Sequence, residues 1–412
     1  MKKILFVSID GLTDPLGQSQ IIPYMQGLCA KGFTVFIVSL EKGKNFNKNE
    51  LSIRNKLNPY SIQWASIHYS KKIPLLSQIM NFRRLNSAVT KLYKENQGAF
   101  IHCRNCLSSL VGLNLKKKYG ARFIFDMRGF WADERIDGKI WNLSNPIHKI
   151  IYRYFKRKET ELLLSADYTV SLTQKAKDEF CSWPQLKQTS VPVKIIPCCT
   201  DLEHFRRENI NADKLAQLKK ELNIKNEDFI LSYLGSLGTW YMTDEMLFFF
   251  KCLEKKEPRA RFLLITTDDP EIVFSRLDNL GITKDKIIIR SATREEVPCM
   301  LELCKASIYF IKPVYSKKAS SPTKLGEILA MGKPVITNSG IGDCDDLIEK
   351  EKAGLLVKEF NETSYNNALD KLDAIIRMPE AHYRQIAEKH FSLAKGVETY
   401  FEMYQELLTT KK

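Results

Sequence analysis

The chain has 412 residues, more than one ordinary domain needs and enough for two domains of about 200 residues each. Hydrophobic residues make up 44% and aromatic residues 10%, so two packed cores can form and an intrinsically disordered protein is excluded. The apolar run at the N-terminus stops at Asp10, and no run reaches the roughly 18–20 apolar residues of a membrane-spanning helix. These features predict a cytoplasmic protein.

The basic residues are unevenly distributed along the chain. Residues 1–200 contain 31 Lys and Arg against 14 Asp and Glu, whereas residues 201–412 contain 32 against 34. Such asymmetry predicts that the first domain faces a polyanion, either an anionic membrane surface or a nucleic acid. No helix-turn-helix, RNA-binding or zinc pattern accompanies the charge, which disfavours nucleic acid. The ten cysteines include a single CxxC, so we expect reduced structural thiols and no metal site.

Short β-branched or aromatic runs alternate with longer helical patterns, as is typical of βαβ units with parallel sheets. In the first half the predicted strands are 3–9, 33–39, 100–103, 122–127, 168–172 and 194–197. In the second half they are 229–235, 261–267, 286–290, 307–311 and 333–337. We expect two doubly wound domains, 1–205 and 206–385, followed by a helical segment, 386–412, whose apolar face must cover another surface.

The first predicted strand is followed by a loop that contains Gly11, Pro15 and Gly17, after which a helix opens near Ser19. Free N–H groups at the start of a helix favour anions, so Gly17 is a candidate contact for a phosphate. The glycine spacing does not match GxGxxG. A tight turn between strand and helix explains the same residues.

A second cluster of charged residues follows the predicted strand 122–127. Asp126, Arg128 and Asp133 lie within ten residues of the chain, and charges so close together must be solvated or paired. The cluster is therefore either an active-site edge or a structural ion-pair network. If it is an active-site edge, these three residues are the catalytic candidates, with Arg128 positioning the acceptor or stabilising charge in the transition state.

A third cluster precedes the run ILAMGKPVI in the second half. Ser321 stands before Pro322, which predicts a helix start with Ser321 as the N-cap residue. The amides and side chains at this start would face solvent and could hold a phosphate; the side chains concerned are those of Ser320, Ser321, Thr323 and Lys324. Glu327 lies one turn further on, within reach of ribose hydroxyls. Helix capping alone would also explain the Ser-Pro pair.

With these clusters in place, the chain resembles the GT-B glycosyltransferases of family 4, the large bacterial group 1 family. The resemblance rests on VSIDG…LGQSQ at the first strand, on IIPCCTDLEHF (195–205), on LSYLGSLG (231–238) and on the segment from Ser321 to Ile336. It implies two Rossmann-like domains that face a cleft, with the acceptor on the first and the nucleotide sugar on the second. The donor-binding residues implied in the second domain are Gly235, Ser236, Arg290 and the third cluster.

The same resemblance implies that the last helix returns to the first domain and that the anomeric configuration is retained. It implies no metal and no cofactor apart from the nucleotide sugar, which is a co-substrate, because a helix dipole and basic side chains neutralise the leaving phosphate. The function implied is extension of a glycan or lipid-linked acceptor in bacterial surface polysaccharide synthesis, at the inner face of the cell membrane. Candidate membrane contacts are Lys71, Lys72, Arg83 and Arg84, and Arg153, Lys156, Arg157 and Lys158.

Three departures from the family pattern leave the donor and the activity open. Ala319 stands where the family has the first glutamate of an E-x7-E motif, no base follows LSYLG, and Arg128 stands where a histidine is frequent. The donor is therefore either a UDP-hexose, with Lys317, Lys318 or Lys324 as a substitute clamp, or a CMP-activated nonulosonic acid with a single phosphate and inversion. A non-catalytic nucleotide-binding relative also fits these departures, and a GT-B enzyme of another class, such as a nucleotide-sugar 2-epimerase, is a further alternative.

Overall fold

The structure, a computed structural model, describes residues 2–71 and 76–409. The chain forms two compact units: unit 1 comprises residues 1–197 and 393–412, and unit 2 comprises residues 198–392. The sequence placed the corresponding boundaries at 205/206 and 385/386. Lys72, one of the predicted membrane contacts, lies outside the described residues.

Unit 1 is built on a seven-stranded sheet in which every pair of neighbouring strands is parallel, in the order β3-β2-β1-β4-β5-β6-β7. The direction in which strands are added reverses between β1 and β4, and ligands of such sheets bind outside the carboxyl ends at this point. The strands are β1 (Lys3–Ser8), β2 (Thr34–Glu41), β3 (Gln63–His68), β4 (Phe100–Arg104), β5 (Phe123–Met127), β6 (Tyr168–Ser171) and β7 (Val193–Ile195).

The helices of unit 1 cover both faces of this sheet. Crossovers between parallel strands are almost always right-handed, which assigns α1 to α3 to one face and α4, α5 and α7 to the other, and α5 contacts both α4 and α7. The helices are α1 (Pro15–Gln20), α2 (Ile22–Ala30), α3 (Gly43–Leu57), α4 (Leu76–Glu95), α5 (Cys106–Tyr119), α6 (Trp131–Asp137), α7 (Pro146–Ser165) and α8 (Gln174–Cys181).

Unit 2 is likewise built on a parallel sheet, with six strands in the order β10-β9-β8-β11-β12-β13. The direction in which strands are added reverses between β8 and β11. The strands are β8 (Phe229–Leu234), β9 (Ala260–Ile265), β10 (Ile287–Arg290), β11 (Ala306–Tyr309), β12 (Val335–Asn338) and β13 (Gly354–Val357). The helices are α9 (Ala212–Glu221), α10 (Thr243–Lys256), α11 (Glu271–Leu280), α12 (Val297–Glu302), α13 (Thr323–Ala330), α14 (Cys344–Glu351), α15 (Glu362–Leu369), α16 (Leu372–Ile376) and α17 (Glu380–His390).

The last helix, α18 (Leu393–Thr409), belongs to unit 1 and packs on α2. Gly27 of α2 makes the close approach possible, because a Cβ atom there would lie 2.7 Å from a methyl of Val397. The buried side chains of α18 include Tyr400 and Tyr404. The apolar face of residues 393–409 is therefore used within unit 1, whereas Ile386 and Phe391 pack in the core of unit 2.

The predicted architecture of two parallel α/β domains is confirmed, and all eleven predicted strands are present. Two strands were missed, β3 and β13, and both lie at the edge of their sheet. Within residues 2–71 and 76–409, no helix combines the length and the apolarity needed to cross a membrane. Over the same residues, no group of three or more His, Cys, Asp or Glu side chains is placed to hold a metal ion.

Candidate functional site

Lys324, in the first turn of α13, is the most unusual side chain of unit 2. It is only 7% exposed, and its Nζ has no hydrogen-bond partner among the described residues. The ring centroids of Tyr241, Tyr233 and Tyr309 lie 3.7, 4.3 and 5.7 Å from this nitrogen. Burial drives the pKa of Lys324 well below its ordinary value, although the Glu327 carboxylate acts in the opposite direction. An amine buried at such a cost in folding free energy is typical of functional sites.

Gly235, just after β8, lies directly over this amine. Its φ of +130° belongs to the region that favours glycine, and a Cβ atom there would lie 2.8 Å from the Lys324 Nζ. The next residue, Ser236, has an exposed side chain, and its carbonyl accepts a hydrogen bond from the Tyr233 hydroxyl. The structure thus brings together three of the donor-site candidates, Gly235, Ser236 and Lys324, at the carboxyl edge of the sheet.

The start of α13 differs from the prediction in two ways. Ser321 is not the N-cap residue: the helix begins at Thr323, Pro322 occupies the cap position, and no side chain caps the helix. The Ser321 hydroxyl instead accepts a hydrogen bond from the Cys198 amide at 3.1 Å, which ties two segments of unit 2 together. The prediction that Lys324 faces solvent is also wrong, because the tyrosine rings enclose its stem and amine. Ser320 and Thr323 remain partly exposed beside it.

Glu327 lies one helical turn after Lys324 and is paired with a base that the sequence did not single out. The Arg294 Nη1 lies 3.6 Å from the Glu327 Oε1, and the Arg294 guanidinium also lies 5.7 Å from the ring centroid of Phe205. Burial raises the pKa of Glu327 to about 7, against the opposing charges of Arg294 and Lys324. The carboxyl group therefore titrates near neutral pH.

Arg290, the other basic candidate in this unit, is engaged elsewhere. It ends the edge strand β10, and its guanidinium lies 2.9 Å from the Glu221 carboxylate and 3.6 Å from that of Glu296. Of the two arginines at and after the end of this strand, Arg294 is the one that pairs with Glu327. The prediction that Arg290 contacts the donor gains no support from these ion pairs.

Glu327 makes stability depend on pH in the absence of nucleotide. Its pKa in the folded state, about 7, is above the ordinary value of 4.5, so the folded state holds the proton more tightly. The resulting stability is fully present below the unfolded pKa and is lost as the pH rises through about 7, which amounts to about 3 kcal/mol in total. We expect Glu327→Gln to flatten this slope in urea unfolding between pH 5 and 8, and Glu227→Gln, an exposed control in the same unit, to keep it. Equal slopes for wild type and Glu327→Gln would contradict the assignment.

Two amides of the loop after β1 are bound by the protein's own Glu41 carboxylate. The buried carboxylate of Glu41, at the end of β2, accepts hydrogen bonds from the Leu12 amide (2.7 Å), the Thr13 amide (3.2 Å) and the Thr13 hydroxyl (2.5 Å). A Cβ atom on Gly17 would lie 2.1 Å from the Gly11 carbonyl oxygen. Both glycines therefore serve a compact turn around the protein's own carboxylate. The packing explains both glycines without a ligand, and the phosphate role of Gly17 stays a prediction.

Asp126, at the end of β5, is the centre of a buried network in unit 1. Its carboxylate lies 3.4 Å from the Arg128 Nη1, 3.6 Å from the His102 Nε2 and 3.8 Å from the Arg104 Nη1. Burial opposes ionisation, but Arg128, His102 and Arg104 outweigh it and hold the pKa of Asp126 below the usual range of a carboxyl group. The aspartate is almost fully buried, so its side chain does not face the open edge that the prediction assumed.

The returning helix α18 completes this network. The Tyr400 hydroxyl donates a hydrogen bond to Asp126 at 3.4 Å, and the Tyr404 hydroxyl lies 2.6 Å from the His102 Nδ1. For Asp126, the structure therefore corresponds to the ion-pair interpretation: the carboxylate joins the sheet to the last helix. Arg128 shares the network from its position just after the strand.

Asp133, the third catalytic candidate, also has internal partners. It accepts hydrogen bonds from the Tyr152 hydroxyl and the Lys156 Nζ, both at 2.7 Å. Lys156 in turn lies 2.8 Å from Glu159 and 4.2 Å from the ring centroid of Trp183. These contacts hold Asp133 between α6 and α7, and they remove Lys156 from the predicted membrane contacts.

The comparisons with known proteins agree with this architecture. Residues 216–388, which lie within unit 2, match the family described as glycosyl transferases group 1. No curated protein matches the sequence at a significant level.

Solved structures resemble the whole chain in fold. The glycosyltransferase from Rickettsia africae has a TM-score of 0.73 and 17% identity, over 100% of this chain and 99% of that one. Sucrose-phosphate synthase from Thermosynechococcus elongatus has a TM-score of 0.74 and 15% identity, over 100% of both chains. HepE from Anabaena, in complex with UDP-glucose, has a TM-score of 0.70 and 14% identity, again over 100% of both chains. At these identities the likeness concerns the fold.

The family match covers the unit that contains Lys324, Gly235 and Glu327, and the fold extends the likeness to the entire chain. The protein is therefore a glycosyltransferase with the GT-B fold, whose second unit matches the group 1 glycosyl transferases.

Proposed function

We propose that the protein transfers a sugar from a nucleotide-sugar donor of the UDP-hexose type, held by unit 2, to a glycan or lipid-linked acceptor, held by unit 1. The observation that supports this most strongly is the amine of Lys324, which is buried among three tyrosine rings without an acceptor of its own among the described residues. A donor phosphate is the anion that such an amine can bind with high selectivity, because both charges are withdrawn from water.

The residues around Lys324 have complementary roles in this proposal. The lack of a side chain at Gly235 lets a phosphate approach the amine closely. The anionic phosphate raises the pKa of its neighbour, so that Lys324 takes up a proton as the donor binds. Glu327, oriented by Arg294, accepts hydrogen bonds from the ribose hydroxyls. Ser236, Ser320, Ser321 and Thr323 line the same edge.

Charge develops on the leaving phosphate as the bond to the sugar breaks. In our proposal the Lys324 ammonium and the N-terminal end of α13 neutralise this charge, so that the chain requires no metal ion for the step. Arg128, just after β5 in unit 1, is the proposed group that positions the acceptor. Asp126 and Asp133 act through their buried contacts by holding Arg128 and α7 in place.

The proposed acceptor is lipid-linked, within bacterial surface polysaccharide synthesis. The support is the excess of basic residues in the first half of the chain, where 31 Lys and Arg stand against 14 Asp and Glu. Each base near an anionic leaflet contributes about 1 kcal/mol to binding. We therefore place the protein on the inner face of the cell membrane, without a spanning segment among the described helices.

A thermal-shift screen with UDP, GDP, ADP and CMP tests the donor. The HepE structure in complex with UDP-glucose supports UDP as the first ligand to try. We expect UDP to stabilise the fold by about 2.7 kcal/mol at a hundredfold excess over its Kd, and to lose this effect in Lys324→Met. A larger shift with CMP would favour a CMP-nonulosonic acid donor with a single phosphate. No shift with any of the four would contradict the proposal.

A further inference from the structure

The loop before α7 and the first half of that helix expose an unusual number of aliphatic side chains. Ile147 and Ile150 are 66% and 67% exposed. They are three residues apart on the helix, so they share one face. Ile140, Leu143 and Tyr154 are exposed in the same stretch. A run of exposed isoleucines marks a contact surface, whereas single exposed apolar residues are ordinary.

The charges of this stretch have one sign. Between residues 138 and 158 the chain has six Lys and Arg and no Asp or Glu. Two of the six are bound internally, Lys156 to Asp133 and Lys158 to Glu161. The other four form no ion pair among the described residues and are exposed; they are Lys139, Lys149, Arg153 and Arg157.

The first half of α4 has the same character. Leu76, Ile79 and Met80 are exposed, and Arg83 and Arg84 follow them on the surface. The sequence contains no acidic residue from position 71 to position 94. A second helix of unit 1 thus combines exposed aliphatic groups with bases.

The topology of unit 1 places the two stretches on one side of the molecule. Both α4 and α7 lie on the same face of the sheet, with α5 between them. Each helix links parallel strands and therefore runs antiparallel to them, so both N-terminal halves lie toward the carboxyl edge of the sheet. That is the edge where ligands of such sheets bind.

We propose that the exposed side chains of residues 76–84 and 139–157, here called the docking face, insert into the headgroup region of an anionic bilayer. Helices that lie in a membrane interface typically place aliphatic side chains at the boundary between headgroups and acyl chains, with basic residues and no acidic residues beside them. A nucleic-acid partner would account for the bases but not for the exposed isoleucine and leucine side chains, because a nucleic-acid backbone is bound mainly through its charge. The inference rests on the proposed function, since a lipid-linked acceptor would be presented at the edge beside this face.

Vesicle co-sedimentation of the full-length protein tests the docking face. We expect binding to vesicles of phosphatidylcholine with about 30% phosphatidylglycerol, release at high salt, and little binding to pure phosphatidylcholine, since exposed charges are screened beyond about 8 Å at physiological ionic strength. Ile147→Asp with Ile150→Asp should lower the affinity for anionic vesicles at least tenfold. Leu51→Asp is the matched control, since Leu51 is 73% exposed on α3, on the other face of the sheet.

Equal binding by the double variant and the wild type would overturn the docking face, and so would equal binding to neutral vesicles. Light scattering on the same proteins tests whether this face joins two copies of the chain. If the wild type dimerises, the double variant does not, and neither protein binds vesicles, the face is an interface between two copies and the proposal fails. The UDP-induced thermal shift is measured on the same variants. It should be unchanged, so that failure of the docking face is distinguishable from failure of the proposed donor site.

Discussion

Replacement of Lys324 by methionine is expected to lower the affinity for UDP by one to two orders of magnitude and to leave the affinity for uridine unchanged. The amine forms a charge-assisted contact with the phosphates only, and such contacts contribute about 1.5–3 kcal/mol. Methionine is unbranched and close to lysine in volume, so the packing between Tyr233 and Tyr241 changes little. Because it also removes a buried amine without an acceptor among the described residues, we expect the unliganded variant to be at least as stable as the wild type.

Isothermal titration calorimetry measures the affinities of the wild type and of Lys324→Met for UDP and for uridine. Lys318→Met is the control, because Lys318 is exposed six residues earlier in the same segment. Glu327→Gln should weaken UDP and uridine alike, since the ribose is common to the two. If Lys324→Met is folded and binds UDP as the wild type does, the phosphate is held elsewhere and the role assigned to this lysine is wrong.

The second large effect is expected for Arg128→Ala, which should lower the free energy of unfolding by about 3 kcal/mol or more. It removes the closest cationic partner of a buried carboxylate and leaves Arg104 as the remaining arginine beside it, and breaking one partner of a buried ion pair is strongly destabilising. Asp126 has a lowered pKa in the folded state, so its contribution to stability is present above the unfolded pKa and is lost as the pH falls through the folded pKa. Without Arg128 the folded pKa rises, and acid unfolding should begin at a higher pH.

Urea unfolding at pH 7 and acid titration of wild type and variant measure both effects. Arg84→Ala, on the surface of α4, is the control and should change stability by less than about 0.5 kcal/mol. A double-mutant cycle with Asp126→Asn should show coupling, because the two side chains are in contact. A variant with wild-type stability whose turnover falls about a hundredfold would instead assign Arg128 to catalysis alone.

The strands of both sheets could be predicted because central parallel strands are buried on both faces and read as continuous apolar runs. The two strands that were missed, β3 and β13, lie at the edges of their sheets. The sequence QWASIH of β3 lies at an edge and is only partly buried, so it lacks such a run. The strand β13 has four residues and begins with Gly354, and glycine is depleted in strands.

The candidate site was harder to predict than the fold. Spacing along the chain located Lys324 and Glu327, and the resemblance to the family located Gly235. The burial of Lys324 could not be predicted, because the rings around it come from three separate segments, at Tyr233, Tyr241 and Tyr309, each of which reads as core or turn.

The partners of the acidic residues could not be predicted either, because they come from segments that are distant in the sequence. Asp126 meets His102 from a neighbouring strand and Tyr400 from a helix 274 residues further along the chain. The pairing of Arg294 with Glu327 had one signal in the sequence, an arginine in the loop that follows a predicted strand. The same signal applies to Arg290, and local sequence cannot choose between two arginines so close together.

Sugar transfer from a nucleotide donor is best tested by product formation. The full-length protein is incubated with UDP-hexoses carrying a labelled sugar and with a lipid extract of bacterial membranes as the source of acceptor. We predict release of UDP in equal amount to the label that enters the lipid fraction, with little of either for Lys324→Met. UDP binding without release of UDP or labelled product from any donor would contradict the claim and identify a nucleotide-binding protein without transferase activity.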